Sequence, residues 1–336
     1  MNRGWRISLF AAVLMIAGGT VCLAAESPPR VVASIKPIHS LVAGVMRGVA
    51  APELLLDDQQ SPHHFALKPS QARLLQQADM VFWVDPSLET PMAKLLSNLA
   101  PQAQNIRLMA QAEWVLHENA IMDEHHYDDA DHADHADHAD HADHADHADH
   151  ADHADHADHA DHAAMNPHIW LDPDNARRLV QVIAAQLSAS DPAHAEIFAS
   201  NAAELDKRLA DLHAAAKQQM VAVRESKFIV QHDAFIYIER QFDLSRGLVI
   251  AVDHDTPPGT AHLQTLRNIV ASGAVSCVFD EPQGNAHQID IVAGEVAVRR
   301  AKLDAIGVNR PAGPELYFDM MRANYAAFVA CLGGAS

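Results

Sequence analysis

The chain reads as an α/β protein: two α/β lobes joined by one long helix. Three observations lead there. Short apolar, β-rich runs alternate with helical periods in both halves of the sequence. An unbroken helical pattern over residues 192–223 separates those halves. Outside one acidic tract the chain is still long enough to build two cores.

In the first half, residues 30–35 (RVVASI) form a short strand stopped by Lys36 and Pro37. Residues 38–49 follow with helical spacing of Leu41, Val42, Val45 and Val49. Residues 53–56 give a second strand, ending at the polar turn 57–62. A helix over 69–77 has Ser70 available as its cap and Leu74 and Leu75 facing inward. Residues 80–84 are the near-continuous apolar run expected of a strand buried on both faces of a parallel sheet. Residues 88–99 and 174–187 are helical. The helix over 192–223 has Asp191 as cap, Pro192 at its first position and apolar residues at Ile197, Leu205, Leu209 and Leu212. At 1.5 Å per residue it is roughly 45 Å long, enough to run along a two-lobed body. The second half repeats the pattern, with strands over 228–231, 247–252 and 274–279 and helices over 234–242, 261–272, 289–300 and 314–331. The expected organisation is a leader at 1–25, a first lobe at 26–190, a linking helix at 191–223 and a second lobe at 224–336.

An insert at 118–164 interrupts the first lobe. From 131 to 163 the triplet Asp-His-Ala repeats eleven times, after a looser prelude, DEHHYDD, at 123–129. Nothing apolar larger than alanine occurs inside the repeat, so it buries too little surface to offset its ordering entropy and is expected to be disordered. Imidazole and carboxylate both suit borderline divalent metals. Three-residue steps turn about 300° in an α-helix and form no continuous face. In polyproline II the histidines align but stand about 9 Å apart. The reading is therefore a many-valent, weak metal collector built from His125, His126, His132, His135, His138, His141, His144, His147, His150, His153, His156, His159 and His162. The bland alternative is a solubilising linker.

Arg3 and Arg6, the apolar run at 7–17 and a small residue at Ala24 or Ala25 make residues 1–25 a secretory signal, which places the mature chain in an extracytoplasmic compartment. The formal charge of −20 misleads. Residues 118–163 hold sixteen acidic groups and no Lys or Arg, so the remainder carries only −4 and offers no basic patch for nucleic acid. Outside the leader two cysteines remain, Cys277 and Cys331, and an oxidising compartment makes one disulfide their simplest reading.

Ligands in α/β proteins gather outside the carboxyl ends of strands. His232 ends the run at 228–231, His63 lies in the loop after the second strand, and His168 follows Pro167 in NPHIWLD at 166–172. Three histidines from three loops suit tetrahedral zinc with one open position. Taken singly, each reads equally well as a packed or surface histidine. His39, His262 and His287 are expected at the surface or behind the ligands, and 253–255 (DHD) belongs to the turn at 257–259 more than to a metal site. Trp83, Trp170, Phe235 and Tyr237 read as core, and Asp172 either orients an imidazole or starts a helix.

The segments SPHHFALKPS (61–70), NPHIWLDP (166–173), VQHDAFIYIERQF (230–242), CVFDEPQ (277–283) and LDAIG (303–307) together resemble the cluster A-I metal receptors. These are the periplasmic receptors of zinc and manganese ABC importers. The resemblance spans the mature chain in order. It implies two lobes on a rigid helix, a metal site between them, and His63, His168 and His232 as zinc ligands. Manganese members typically carry a carboxylate at the position of His232, so an imidazole there favours zinc. Some zinc members place Glu before the first histidine, where this chain has Pro62; Asp304 is then the expected fourth ligand, with water as the alternative. The implied cargo is Zn2+, and the implied partners are a membrane permease and, as a second candidate, a periplasmic zinc chaperone, with the receptor itself monomeric. The rival readings are a zinc buffer or surface adhesin of the same fold, and a zinc hydrolase. The hydrolase reading lacks a His-Glu-x-x-His helix and has only Asp233 as a base.

Overall fold

The computed structural model describes residues 27–58, 60–120, 165–251 and 257–334. The expected leader, the thirteen tract histidines and 253–255 lie outside the described residues. Two four-stranded, all-parallel sheets carry the chain. The first holds β1 (Val31–Ala33), β2 (Glu53–Leu54), β3 (Met80–Trp83) and β4 (Gln104–Arg107), in the order β2-β1-β3-β4. The second holds β5 (Phe228–His232), β6 (Leu248–Ala251), β7 (Cys277–Asp280) and β8 (Arg299–Lys302), in the order β6-β5-β7-β8. Both sheets thus have the same strand order, with topological switch points between β1 and β3 and between β5 and β7.

The connecting helices are α1 (Lys36–Val45), α2 (Pro69–Gln77), α3 (Met92–Leu99), α4 (Pro173–Ser190), α5 (Ala195–Met220), α6 (Ile236–Gln241), α7 (Thr260–Ala271), α8 (Ala286–Ala293) and α9 (Leu316–Gly333). The linking helix forms as expected, with single 3-10 turns at Pro192–His194 and Val221–Val223 flanking α5. Phe198, Ala202, Leu205, Leu209, Ala216 and Met220 make its buried stripe, while Ile197 is 41% exposed and the Asp191 side chain bonds the His194 ring instead of capping the helix. Gly44 lets α1 meet α5 closely, since a Cβ there would stand 2.8 Å from Leu205 Cδ1. The C-terminal helix α9 packs on α1, α5 and β8, so one apolar core runs through both lobes. A smaller cluster, with Ile229, Ile250, Leu266 and Val278, lies under α7 and α8.

Four local expectations are corrected. Two strands were missing from the sequence reading: β4 and β8 are the polar fourth strands of their sheets. The helix expected over 289–300 stops at Ala293, because Gly294 turns left-handed (φ +55°) and the chain then enters β8. Pro69 starts α2, so Ser70 lies inside it; the Gln71 side chain accepts instead from the Lys68 backbone N–H at 2.7 Å. His39 is buried, with Nε2 3.1 Å from the Pro52 carbonyl. The disulfide Cys277–Cys331 is present, tying β7 to α9 across a separation of 54 residues, with Cα atoms 5.8 Å apart.

Candidate metal centre

Each candidate ligand sits where the α/β pattern puts it. His232 is the last residue of β5, at the switch point of the second sheet. His168 follows Asn166 and Pro167 and opens the 3-10 turn Ile169–Leu171, which leads into α4. His63 lies in the irregular loop between β2 and α2. The three rings converge: centroids are 5.1 Å apart for His168 and His232, 5.5 Å for His63 and His168, and 6.3 Å for His63 and His232. One nitrogen from each falls within 4.8 Å of the others, and they are the one such His, Cys, Asp or Glu cluster among the described residues. His168 Nε2 and His232 Nε2 are 3.4 Å apart. Two imidazole nitrogens bound tetrahedrally at 2.0–2.1 Å stand about 3.3–3.4 Å apart. The observed spacing matches that of two imidazole ligands of one ion.

The far ring nitrogens are also engaged. His168 Nδ1 lies 2.9 Å from Asn166 Oδ1, which also accepts the His168 backbone N–H at 3.1 Å. His232 Nδ1 lies 2.5 Å from Glu281 Oε1. Neutral imidazoles donating from Nδ1 leave Nε2 as the acceptor for metal, the arrangement that fixes tautomer and raises ligand basicity. Asn166 is itself held: its amide donates to the Asp233 carbonyl, and its own carbonyl accepts from Tyr237 Oη at 2.5 Å. Behind His168, Trp170 Nε1 donates to the Ala305 carbonyl at 2.7 Å, and Tyr317 Oη to the Trp170 carbonyl at 2.7 Å. Asp172, raised by burial to about 6, accepts from Asn175 N and starts α4.

Asp304 lines the same small pocket as the three histidines, together with Pro62, Glu281, Gln283 and Ile306. Its Oδ1 accepts the backbone N–H groups of Ile306 (3.2 Å), Gly307 (2.7 Å) and Val308 (3.1 Å). The second oxygen has Arg310 Nε 3.9 Å away. Burial pushes the carboxyl up, and the three N–H groups oppose that shift. Oδ1 is thus committed to shaping the loop, and Asp304 lines the pocket without joining the three histidines whose ligand atoms fall within 4.8 Å of one another.

Glu281 is the functional residue that the sequence reading missed. It directly follows β7, the neighbour of β5, so sheet adjacency brings it to His232 across 49 residues of sequence. The Glu281 backbone N–H also donates to Gln231 Oε1 at 2.9 Å, and Gly284 leaves room for that side chain, since a Cβ there would fall 2.0 Å from Gln231 Oε1. An acidic residue just past an apolar strand run, on the same sheet edge as a candidate histidine, was the signal available. His64 is exposed, and Trp83, Trp170, Phe235 and Tyr237 are core.

Residues 31–331 match the family model of ZnuA, described as the zinc-uptake complex component A, periplasmic. The high-affinity zinc uptake system protein ZnuA of Brucella abortus is 37% identical over 318 residues, covering 94% of this chain and 95% of that protein. A solved crystal structure of ZnuA superposes with a TM-score of 0.70 at 18% identity, covering 91% of this chain and 99% of that one. The laminin-binding protein of Streptococcus agalactiae, described as having adhesin and metal-transporting activity, superposes at 0.69 with 19% identity, covering 91% and 99%. At these identities the two structures speak for the fold, while the family match and the Brucella relative speak for descent: the chain belongs to the ZnuA family.

Proposed function

We propose that the chain is an extracytoplasmic receptor that captures Zn2+ and delivers it to an ABC permease for high-affinity uptake. The observation that carries this reading is the convergence of His63, His168 and His232 at the carboxyl edges of two lobes, two of them 3.4 Å apart at Nε2. Three neutral imidazoles with an open fourth position are a zinc donor set. Asp304 Oδ2 or water completes it. Residues 1–25 act as a cleaved export signal, and the mature chain works in the periplasm as a monomer. The working parts are a first lobe at 26–190, a linking helix at 191–223 and a second lobe at 224–336. The insert at 118–164 serves as a weak zinc collector. Its flanks support this placement: Glu118 bridges to Met165, and the Ala120 backbone N–H donates to Asp233 Oδ2 at 2.5 Å, beside His232. The permease is the receiving partner, and a periplasmic zinc chaperone is the candidate loader. No substrate chemistry is assigned.

Zinc titration of the mature protein tests the proposal. It should resolve one tight site and several weak ones. Deleting residues 118–163 should remove the weak class and keep the tight site, whereas His232→Ala should do the reverse. Loss of the tight site on deleting the insert would refute the three-histidine assignment and favour a buffer whose working part is the tract.

A further inference from the structure

We propose that Lys36 is a positioning residue for metal retention: it latches the loop carrying His63 onto the second lobe and thereby sets how long bound zinc stays. This rests on the zinc reading above and adds to it the element that moves.

Two of the three histidines stand on fixed supports. His232 ends a central strand, and His168 sits between Asn166 and Trp170, both held across the lobes by the bonds given above. The lobes share one apolar core, so a wide opening would tear buried surface apart. His63 differs, because residues 57–58 and 60–68 form neither helix nor strand. Release of an ion is therefore easiest by lifting this loop.

Phe65 and Leu67 pack the far end of the loop on the main core, whereas the contacts that tie its near end to the second lobe are polar and converge on Asp58. Lys36, the first residue of α1, has a side chain only 8% exposed. Its ammonium pairs with Asp58 Oδ1 and donates to the carbonyls of Gly307 (3.2 Å) and Arg310 (2.8 Å) in the second lobe. Asp58 Oδ2 accepts from the Asn309 backbone N–H at 3.3 Å. Gln283 Nε2 reaches the Asp58 carbonyl (3.4 Å) and the Gln60 carbonyl (3.2 Å). The receiving segment is rigid: Asp304 Oδ1 gathers three of its N–H groups, and Gly307 and Asn309 turn it with positive φ of 77° and 61°. One ammonium thus meets two carbonyl acceptors and one carboxylate. A buried ammonium is tolerable only while it is fully paired. Lifting residues 58–63 removes its one anionic partner while the two carbonyls stay behind, so the buried charge itself resists loop opening.

The test uses the full mature chain loaded with one equivalent of zinc, with Lys36→Met, Asp58→Asn and the double variant. Stopped-flow transfer of zinc to excess chelator gives the off-rate, and amide exchange reports residues 57–66. Each single variant should release zinc about tenfold faster or more, as expected when one partner of a buried charge pair is truncated. The double variant should be no faster than the faster single one, and exchange should rise in 57–66 but not in β5. Arg47→Met, which removes an exposed pair with Glu204, should leave the off-rate unchanged. An unaltered off-rate in both single variants, multiplicative effects in the double, or exchange raised throughout the chain would overturn the latch. A parent protein that takes up no tight zinc would instead overturn the function reading. The metal-free exchange of Lys36→Met then still judges the latch, which predicts faster exchange confined to 57–66.

Discussion

Glu281→Gln isolates the charge behind His232 while keeping the shape. The Glu281 side chain is 4% exposed and its Oε1 stands 2.5 Å from His232 Nδ1. A glutamine oxygen still accepts from Nδ1–H, so ring orientation survives and only the negative charge goes. Adding the width of the ring and a metal–nitrogen bond of about 2.1 Å puts the carboxylate roughly 6 Å from the ion. At an effective dielectric of about 20, its gross attraction to a dication at that range is about 5 kcal/mol. Solvent, the other ligands and the carboxylate's hold on the imidazole in the metal-free state offset part of this, and outer partners of metal histidines are usually worth 10- to 100-fold in affinity. The expected change is therefore a rise in zinc Kd of about 10- to 100-fold, or about 1.4–2.8 kcal/mol. Competition against a chromophoric chelator at pH 7.5 reads it, with thermal unfolding of the metal-free protein as the control for folding. A Kd within about twofold of the parent, with unfolding unchanged, would refute the argument that a carboxylate-backed imidazole tunes this site. Glu281→Ala should cost more, because the buried Nδ1–H then loses its acceptor.

Three further outcomes are expected. Protons compete with metal for the ligand imidazoles, so zinc affinity measured from pH 8 to 5 should fall as pH drops, and a flat profile would exclude imidazole ligation. Burial raises Glu89 to about 7 from 4.5, so the folded chain keeps a proton that the unfolded chain releases between those values. Stability from this group is full below about pH 4.5 and is lost as pH rises to about 7, so Glu89→Gln should stabilise the protein at pH 8 relative to pH 5 by about 2–3 kcal/mol over the parent in denaturant titrations. Replacing Cys331 by Ala removes a cross-link spanning 54 residues and should cost up to about 4 kcal/mol of unfolding free energy relative to the disulfide-bonded parent, read by denaturant titration.

The fold was legible where burial writes itself into composition. The runs at β1, β3, β5 and β7 are apolar because helices cover both faces, and the sheet centres were found from them. The outer strands β4, with sequence QNIR, and β8, with sequence RRAK, escaped notice because all their side chains but Ile106 and Ala301 are exposed, so no apolar run marks them, unlike the equally peripheral β6. The histidines were legible because each sits beside a strand end or a proline-stiffened turn. Their partners were not. Glu281 and Asn166 matter through contacts made by sheet order and loop closure, and neither lies at a spacing that marks it as a metal neighbour. Lys36 was read only as the stop of the first strand, and its role depends on Gly307 and Arg310, more than 270 residues away.

The apolar core that threads α1, α4, α5 and α9 through both lobes has a thermodynamic consequence. Two lobes with separate cores would melt as two transitions, each with its own enthalpy. Here α9 carries Tyr317 from the second half of the sequence to the first, its backbone N–H donating to Ser40 Oγ and its hydroxyl to the Trp170 carbonyl, and the disulfide anchors that helix to β7. Neither half can expose its interior without stripping the other, so calorimetry should show a single cooperative transition for the whole body. Zinc held by the three histidines as proposed should then stabilise the entire chain as one unit, and cutting the molecule at the linking helix should yield two pieces that aggregate rather than two small domains.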